Sequence, residues 1–192
     1  MISRRRLLAS VSATTLVVLA GVSVRNAQSA QSMSIHAGTA NGQWRSYAGD
    51  LASTRYAPLD QINKANFKDL EVAWRFKTDA LGPRPEYNLQ STPLMVDGVL
   101  YTPAGSRRDV VAIDGATGET LWMFRHDESI RGERAPVRAS TGRGVAFWTD
   151  GRGDDRILHV TQGYHLIALD AHTGRPITSF GSNGVVDLFL DF

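Results

Sequence analysis

The chain has 192 residues, enough for one domain with a buried core, and its 42% hydrophobic and 21% charged content is ordinary for a soluble globular protein. Its formal charge of +2 comes from the front, where residues 1–32 hold Arg4, Arg5, Arg6 and Arg25 and no acid, leaving 17 basic against 19 acidic side chains in the rest. A slightly acidic body has no electrostatic grip on phosphate backbones, so nucleic acid is excluded as an expected partner. The chain has no cysteine. Within it, that excludes structural disulfides, thiolate nucleophiles, Cys-based zinc sites, haem c attachment, iron–sulfur clusters and a lipidated-cysteine anchor.

Residues 1–32 read as an export signal. Ser3-Arg4-Arg5-Arg6-Leu7-Leu8 is a charged start, Leu7 to Gly21 is uncharged, and small residues follow at Ala27, Ser29 and Ala30. The apolar run is about 15 residues, short of the roughly 20 that span a bilayer. The paired arginines resemble a twin-arginine signal, which implies export in a folded state. An ordinary secretory signal and an uncleaved N-terminal anchor are the alternatives, and no Ala-x-Ala triplet marks a cleavage point. Each of these places residues 33–192 outside the cytoplasm, in the periplasm.

Next in the chain, one short helix is expected near Lys64–Leu70, capped by Asn63, with Ile62 packing across its first turn on Phe67. From Val72 onward, short apolar runs alternate with Gly, Asp and Pro. They predict strands at Val72–Lys77, Pro93–Val96, Val99–Pro103, Val110–Asp114, Leu121–Arg125, Gly144–Trp148, Ile157–Thr161 and His165–Asp170. Asp97-Gly98 between two such runs predicts a type I′ hairpin, whose central residues both need positive φ. So many short strands imply an all-β sandwich, barrel or propeller.

An internal repeat chooses among these. Leu100-Tyr101-Thr102-Pro103-Ala104-Gly105 and Val110 to Gly118 form one copy; Leu158 to Gly163 and Leu166 to Gly174 form the next. Asp114 and Asp170 are 56 residues apart, a period that suits four-stranded propeller blades with long loops. In Ala-x-Asp-x-x-Thr-Gly the carboxylate accepts backbone N–H groups, the threonine closes the turn, and Gly118 or Gly174 supplies a left-handed backbone. Trp122, returning on the next strand, is placed to pack on a neighbouring blade. Thr178 stands at the matching position of the second copy, so that blade is expected to be less regular.

These residues resemble a known family. Ala112-Ile113-Asp114-Gly115-Ala116-Thr117-Gly118-Glu119-Thr120-Leu121-Trp122 is similar to the tryptophan-docking repeat of pyrroloquinoline quinone (PQQ) propellers. Trp44-Arg45-Ser46-Tyr47-Ala48-Gly49-Asp50, Ser53-Thr54-Arg55-Tyr56-Ala57-Pro58-Leu59, Gln61-Ile62-Asn63, Asn66 and Ala73-Trp74 resemble the opening of PQQ alcohol and sugar dehydrogenases. Ser91-Thr92-Pro93-Leu94 and Val96 to Tyr101 look like that family's first blade. The resemblance implies the first two to three blades of an eight-bladed propeller carrying PQQ and calcium on its axis. It assigns two cofactor contacts here: Gln90, where relatives usually have glutamate, and Arg143, the guanidinium that meets quinone oxygens and carboxylates.

No catalytic residue and no metal ligand is assigned within the chain. The family's catalytic aspartate and calcium ligands lie in later blades, so the resemblance places them beyond Phe192, the last residue of this sequence. The expectation is therefore an N-terminal fragment of a periplasmic dehydrogenase, inactive and marginally folded alone. The whole enzyme would oxidise a sugar, polyol or alcohol by hydride transfer to PQQ and pass electrons to a quinone or cytochrome. Arg138-Ala139-Ser140-Thr141 lacks the adjacent cysteines of methanol- and ethanol-type relatives, and Ser179 to Leu188 resembles the glucose-dehydrogenase branch. A non-catalytic PQQ-like scaffold and an inactive remnant are the other readings; the scaffold gains if Gln90 and Arg143 face solvent.

The remaining polar residues draw plainer expectations. His126, His159, His165 and His172 show no metal-ligand spacing and are read as structural or solvated. Asp154-Asp155 reads as a hairpin tip, and Arg131, Arg134 and Arg138 as a surface loop. Gly142-x-Gly144 lacks the third glycine and helix of a dinucleotide fingerprint.

Overall fold

The structure, a computed structural model, describes residues 38–87, 89–129 and 144–190. Its strands are β1 (Leu94–Val96), β2 (Val99–Ala104), β3 (Asp109–Asp114), β4 (Thr120–Phe124), β5 (Ala146–Thr149), β6 (Asp155–Val160), β7 (His165–Asp170) and β8 (Val185–Asp187). They form two four-stranded antiparallel sheets, each in simple sequence order. Two successive meanders of four strands are two blades of a propeller. Asp97 and Gly98 have φ of 49° and 85°, the double positive φ that the β1–β2 hairpin requires.

Alternation along β3 buries the first sheet on both faces. Val110 and Ala112 join Leu94, Val96 and Tyr101 against Ile157, Ile167, Leu169 and Ala171 of the second sheet. Val111 and Ile113 point the other way, onto Leu81 and Ala104, with Trp74 and Phe76 packed at the margin. Each large apolar side chain buried this way contributes about 1.5–3 kcal/mol.

The two repeat turns agree atom by atom. Asp114 Oδ1 accepts the N–H of Ala116 (2.9 Å), the N–H of Thr117 (2.8 Å) and the Thr117 hydroxyl (3.0 Å). Asp170 Oδ1 accepts the equivalent groups of His172 (3.1 Å) and Thr173 (2.7 Å for both). The Thr117 donors are the main reason the Asp114 carboxyl sits below its usual range.

Each turn also receives a tryptophan. The Trp74 indole N–H donates to the Gly115 carbonyl at 3.1 Å, and its ring lies so close to Gly118 that a Cβ there would come within 2.6 Å. Trp122 repeats this one blade on: its N–H donates to the Ala171 carbonyl at 2.9 Å, and a Cβ on Gly174 would come within 2.5 Å of its ring. The Tyr101 hydroxyl donates to the same Ala171 carbonyl at 3.1 Å. Trp122 is thus the packing device that the repeat implies, and it joins the two sheets.

The opening residues fasten the first hairpin. Trp44 pairs with Met95 through two backbone hydrogen bonds (2.7 and 3.0 Å), extending the edge of β1 by one bridge. Arg45 forms an ion pair with Asp97 at 3.0 Å, and its guanidinium lies 5.5 Å from the centre of the Phe147 ring on β5.

Three expectations need correction. Val72–Lys77 runs extended but is not a strand, because it meets no partner backbone among the described residues; Trp74 and Phe76 hold it by side-chain packing instead. The helix at Lys64–Leu70 shrinks to a 3₁₀ turn at Phe67–Asp69. Asn63 Oδ1 does accept the Ala65 N–H at 2.9 Å, but Asn66 Oδ1 takes the Asn63 N–H at 2.8 Å and closes a tight local turn. Ile62 and Phe67 stay 62% and 68% exposed, so their expected packing is absent. In the second blade the outer strand starts at Pro176–Ile177, leaves through a loop, and resumes only at β8. That is the irregularity expected where Thr178 replaces tryptophan.

Replacing Trp122 with Phe removes one part-buried hydrogen bond and part of the ring, and should cost about 1–2 kcal/mol; Trp122→Ala should cost about 3–5 kcal/mol. Urea unfolding midpoints will show this order. Burial raises the Tyr101 phenol from 10.0 to about 12. Its neutral form is favoured in the fold, so the stabilisation is complete below pH 10 and is lost as pH rises from 10 toward 12. One of the five tyrosines should therefore titrate late by phenolate absorbance, and Tyr101→Phe should abolish that phase.

Candidate functional site

Gln90 lies in the extended segment just before β1, with its side chain exposed. Arg143 and the Arg131, Arg134 and Arg138 loop lie outside the described residues, but Gly144, the neighbour of Arg143, does not. Phe192 also lies outside them, so the expectation that the catalytic aspartate and calcium ligands follow it concerns no residue of these two blades. Gly144 lies just before β5, as Gln90 lies just before β1.

These segments meet. A Cβ on Gly144 would lie 3.2 Å from the Thr92 carbonyl oxygen, and Gly144 has φ +130°, so both the space and the backbone favour glycine. Behind Gln90, the hydroxyls of Ser91 and Thr102 are hydrogen bonded at 2.9 Å, which ties the segment to β2. Gly144 leads into a strand and not a helix, which agrees with the absence of a dinucleotide fingerprint.

The β5–β6 connection is the hairpin tip expected of Asp154-Asp155. Asp150 Oδ1 accepts the N–H groups of Arg152 (2.7 Å) and Asp154 (3.0 Å), while the Asp154 carboxylate binds Arg156 Nε at 2.7 Å. That arginine chiefly lowers the Asp154 pKa.

A second polar group, which sequence spacing does not reveal, gathers beside the inter-sheet core. His126 and Glu128 leave the end of β4, His159 lies on β6 and His165 opens β7. Together with Arg108 and Thr161, most of them line a small cleft. His126 Nε2 is 3.2 Å from His165 Nδ1, and His165 Nδ1 is 3.4 Å from Glu128 Oε2. Arg108 forms a buried ion pair with Glu86. Arg125 clamps the buried Asp109 carboxylate through three contacts of 2.7–3.1 Å. His159 is driven down from 6.5 to about 4, chiefly by burial, and so is neutral at pH 7. No helix among the described residues is long and apolar enough to cross a membrane.

Comparison with known proteins identifies the family. The family model of the PQQ glucose/ethanol/alcohol dehydrogenase β-propeller domain matches residues 44–191. A quinohemoprotein alcohol dehydrogenase of Pseudomonas putida is 36% identical over 73% of this chain and 19% of its own length. The glycerol dehydrogenase large subunit of Gluconobacter oxydans is 34% identical over 79% of this chain and 21% of its own. The crystal structure of quinohemoprotein alcohol dehydrogenase from Comamonas testosteroni superposes with a TM-score of 0.63 at 33% identity, over 81% of this chain and 21% of that one. The chain spans about a fifth of the length of the curated relatives it matches.

Proposed function

We propose, from the premise that this chain belongs to the PQQ glucose/ethanol/alcohol dehydrogenase β-propeller family, that its part in the reaction is to bind PQQ at the meeting of the segments before β1 and β5. The observation that carries this reading is the approach of Gly144 to Thr92, which brings the chain next to Arg143 alongside the chain next to Gln90.

Dehydrogenases of this family use PQQ with calcium or a lanthanide ion. PQQ, when bound, supplies the two-electron acceptor that takes a hydride from an alcohol carbon. Gln90 donates and accepts as a neutral amide, so it orients an acidic cofactor without the repulsion that a glutamate would add there. Arg143 offers planar paired donors and a fixed positive charge, which holds carboxylates and favours negative charge developing on a neighbouring oxygen. Glycine at 144 lets the two backbones close without a side chain between them. The proton-accepting aspartate and the calcium ligands belong, in this reading, to blades that follow Phe192.

The finer reading is a periplasmic oxidoreductase of sugars or polyols, of the glucose-dehydrogenase type, which passes electrons to a quinone or a cytochrome. It is supported by Arg138-Ala139-Ser140-Thr141, which has no sulfur, and by the Ser179 to Leu188 segment. Residues 1–32, with Arg4-Arg5-Arg6 ahead of an uncharged run, serve as the export signal in this reading. The exposure of Gln90 also suits a non-catalytic scaffold. The meeting of the Thr92 and Gly144 segments favours the cofactor site.

The native protein, supplied with PQQ and calcium, should reduce an artificial dye with glucose or glycerol as substrate. Arg143→Ala should lower PQQ affinity about 10- to 100-fold, matching one lost charge-assisted interaction, and Gln90→Ala should lower it less. Equal PQQ binding by both variants and the parent would overturn the assignment.

A further inference from the structure

We propose that His126, Glu128 and His165 form a binding site for a divalent transition-metal ion of the zinc class, bridging the two sheets. The three side chains offer Nε2, Oε2 and Nδ1, and these atoms all lie within 4.8 Å of one another. In a tetrahedral zinc site, ligand bonds of about 2.0–2.1 Å put neighbouring ligand atoms about 3.3 Å apart. The observed edges are 3.2 Å between the two imidazole nitrogens and 3.4 Å between His165 and Glu128. The group already has the spacing that such an ion needs on two of its edges.

One polar atom of the cluster has no hydrogen-bond partner. A single proton shared between His126 Nε2 and His165 Nδ1 pairs those two nitrogens. Glu128 Oε2, however, is buried and accepts no hydrogen bond, its 3.4 Å approach to His165 lacking the alignment of one. An unsatisfied buried carboxylate oxygen costs more than a neutral acceptor. A cation among the three atoms takes a lone pair from each ring and from this oxygen.

The surroundings are shaped for the carboxylate. A Cβ on Gly163 would fall 2.1 Å from Glu128 Oε2, so glycine in the β6–β7 loop leaves the room it occupies. The loop itself is fixed: the N–H of Thr161 donates to the His165 carbonyl at 2.9 Å and the His165 N–H to the Thr161 hydroxyl at 3.2 Å. His165 is only 4% exposed. Two imidazoles and one carboxylate form a set of borderline donors that suits zinc, cobalt or nickel, whereas calcium seeks six to eight oxygens. Three protein ligands leave a fourth position for water. Since His126 and Glu128 follow β4 and His165 begins β7, the ion would tie the first blade to the second.

The test uses the native protein, stripped with a chelator and titrated with zinc or cobalt(II). The folded parent should bind one equivalent at tens of micromolar or tighter, give the intense visible bands of tetrahedral cobalt, and gain thermal stability. His126→Gln and Glu128→Gln should weaken binding at least tenfold and erase those bands, while His172→Gln, at an exposed position, should leave both unchanged. Paramagnetic shifts of the His126 and His165 ring protons in the cobalt-loaded parent read the site with no substitution. Absence of stoichiometric binding by the folded parent, shifts confined to other histidines, or binding unchanged in both ligand variants would overturn the proposal.

Discussion

The hydrogen bond from the Trp122 indole to the Ala171 carbonyl, 2.9 Å long, is the contact on which the arrangement of the two sheets depends. A four-stranded meander cannot bury both its faces alone, so a blade is stable only against its neighbour. The indole supplies a large apolar surface for that contact and one directed N–H, which fixes where on the next blade it lands. Its target is equally constrained. Gly174 leaves room for the ring, and the Asp170 carboxylate holds the turn so that the Ala171 carbonyl is presented to the indole. Tyr101 reaches the same carbonyl from the apolar side, so one backbone oxygen serves two side chains of the preceding blade.

The same device appears one step earlier with Trp74 on Gly115 and Gly118, which explains why a segment with no ladder still has a defined place. Strand pairing and tryptophan docking therefore do different jobs. Pairing builds each sheet, and docking sets the sheets side by side. Once they are side by side, the segments ahead of β1 and β5 come together at Thr92 and Gly144, and His126 and Glu128 come to His165. Both polar groups are consequences of how the blades meet.

This division also explains what could be read from the sequence. Asp114 to Gly118 and Asp170 to Gly174 are local turns whose partners lie within three or four residues, so residue types alone revealed them. Seven of the eight strands matched runs bounded by turn residues. Lys64–Leu70 misled because Asn63 and Asn66 bond each other and tighten the turn, an alternative that short polar side chains always offer a helix. Val72–Lys77 has a strand's composition, but pairing depends on a neighbour that composition does not report. The histidine and glutamate cluster was illegible for a related reason: His126 and His165 are 39 residues apart and meet only because two sheets pack. Gln90 and Arg143 became candidates through family resemblance, since an amide and an arginine before strands carry no signal of their own.

Amide hydrogen exchange of the native protein, compared between the parent and Trp122→Phe, tests the central claim that tryptophan docking couples the blades. The account predicts faster exchange in both sheets of the variant, including Gly174 and Ala168 in the second blade, whose N–H groups bond to Asp170 and Gly184. Faster exchange confined to β4, with the second sheet protected as in the parent, would contradict it.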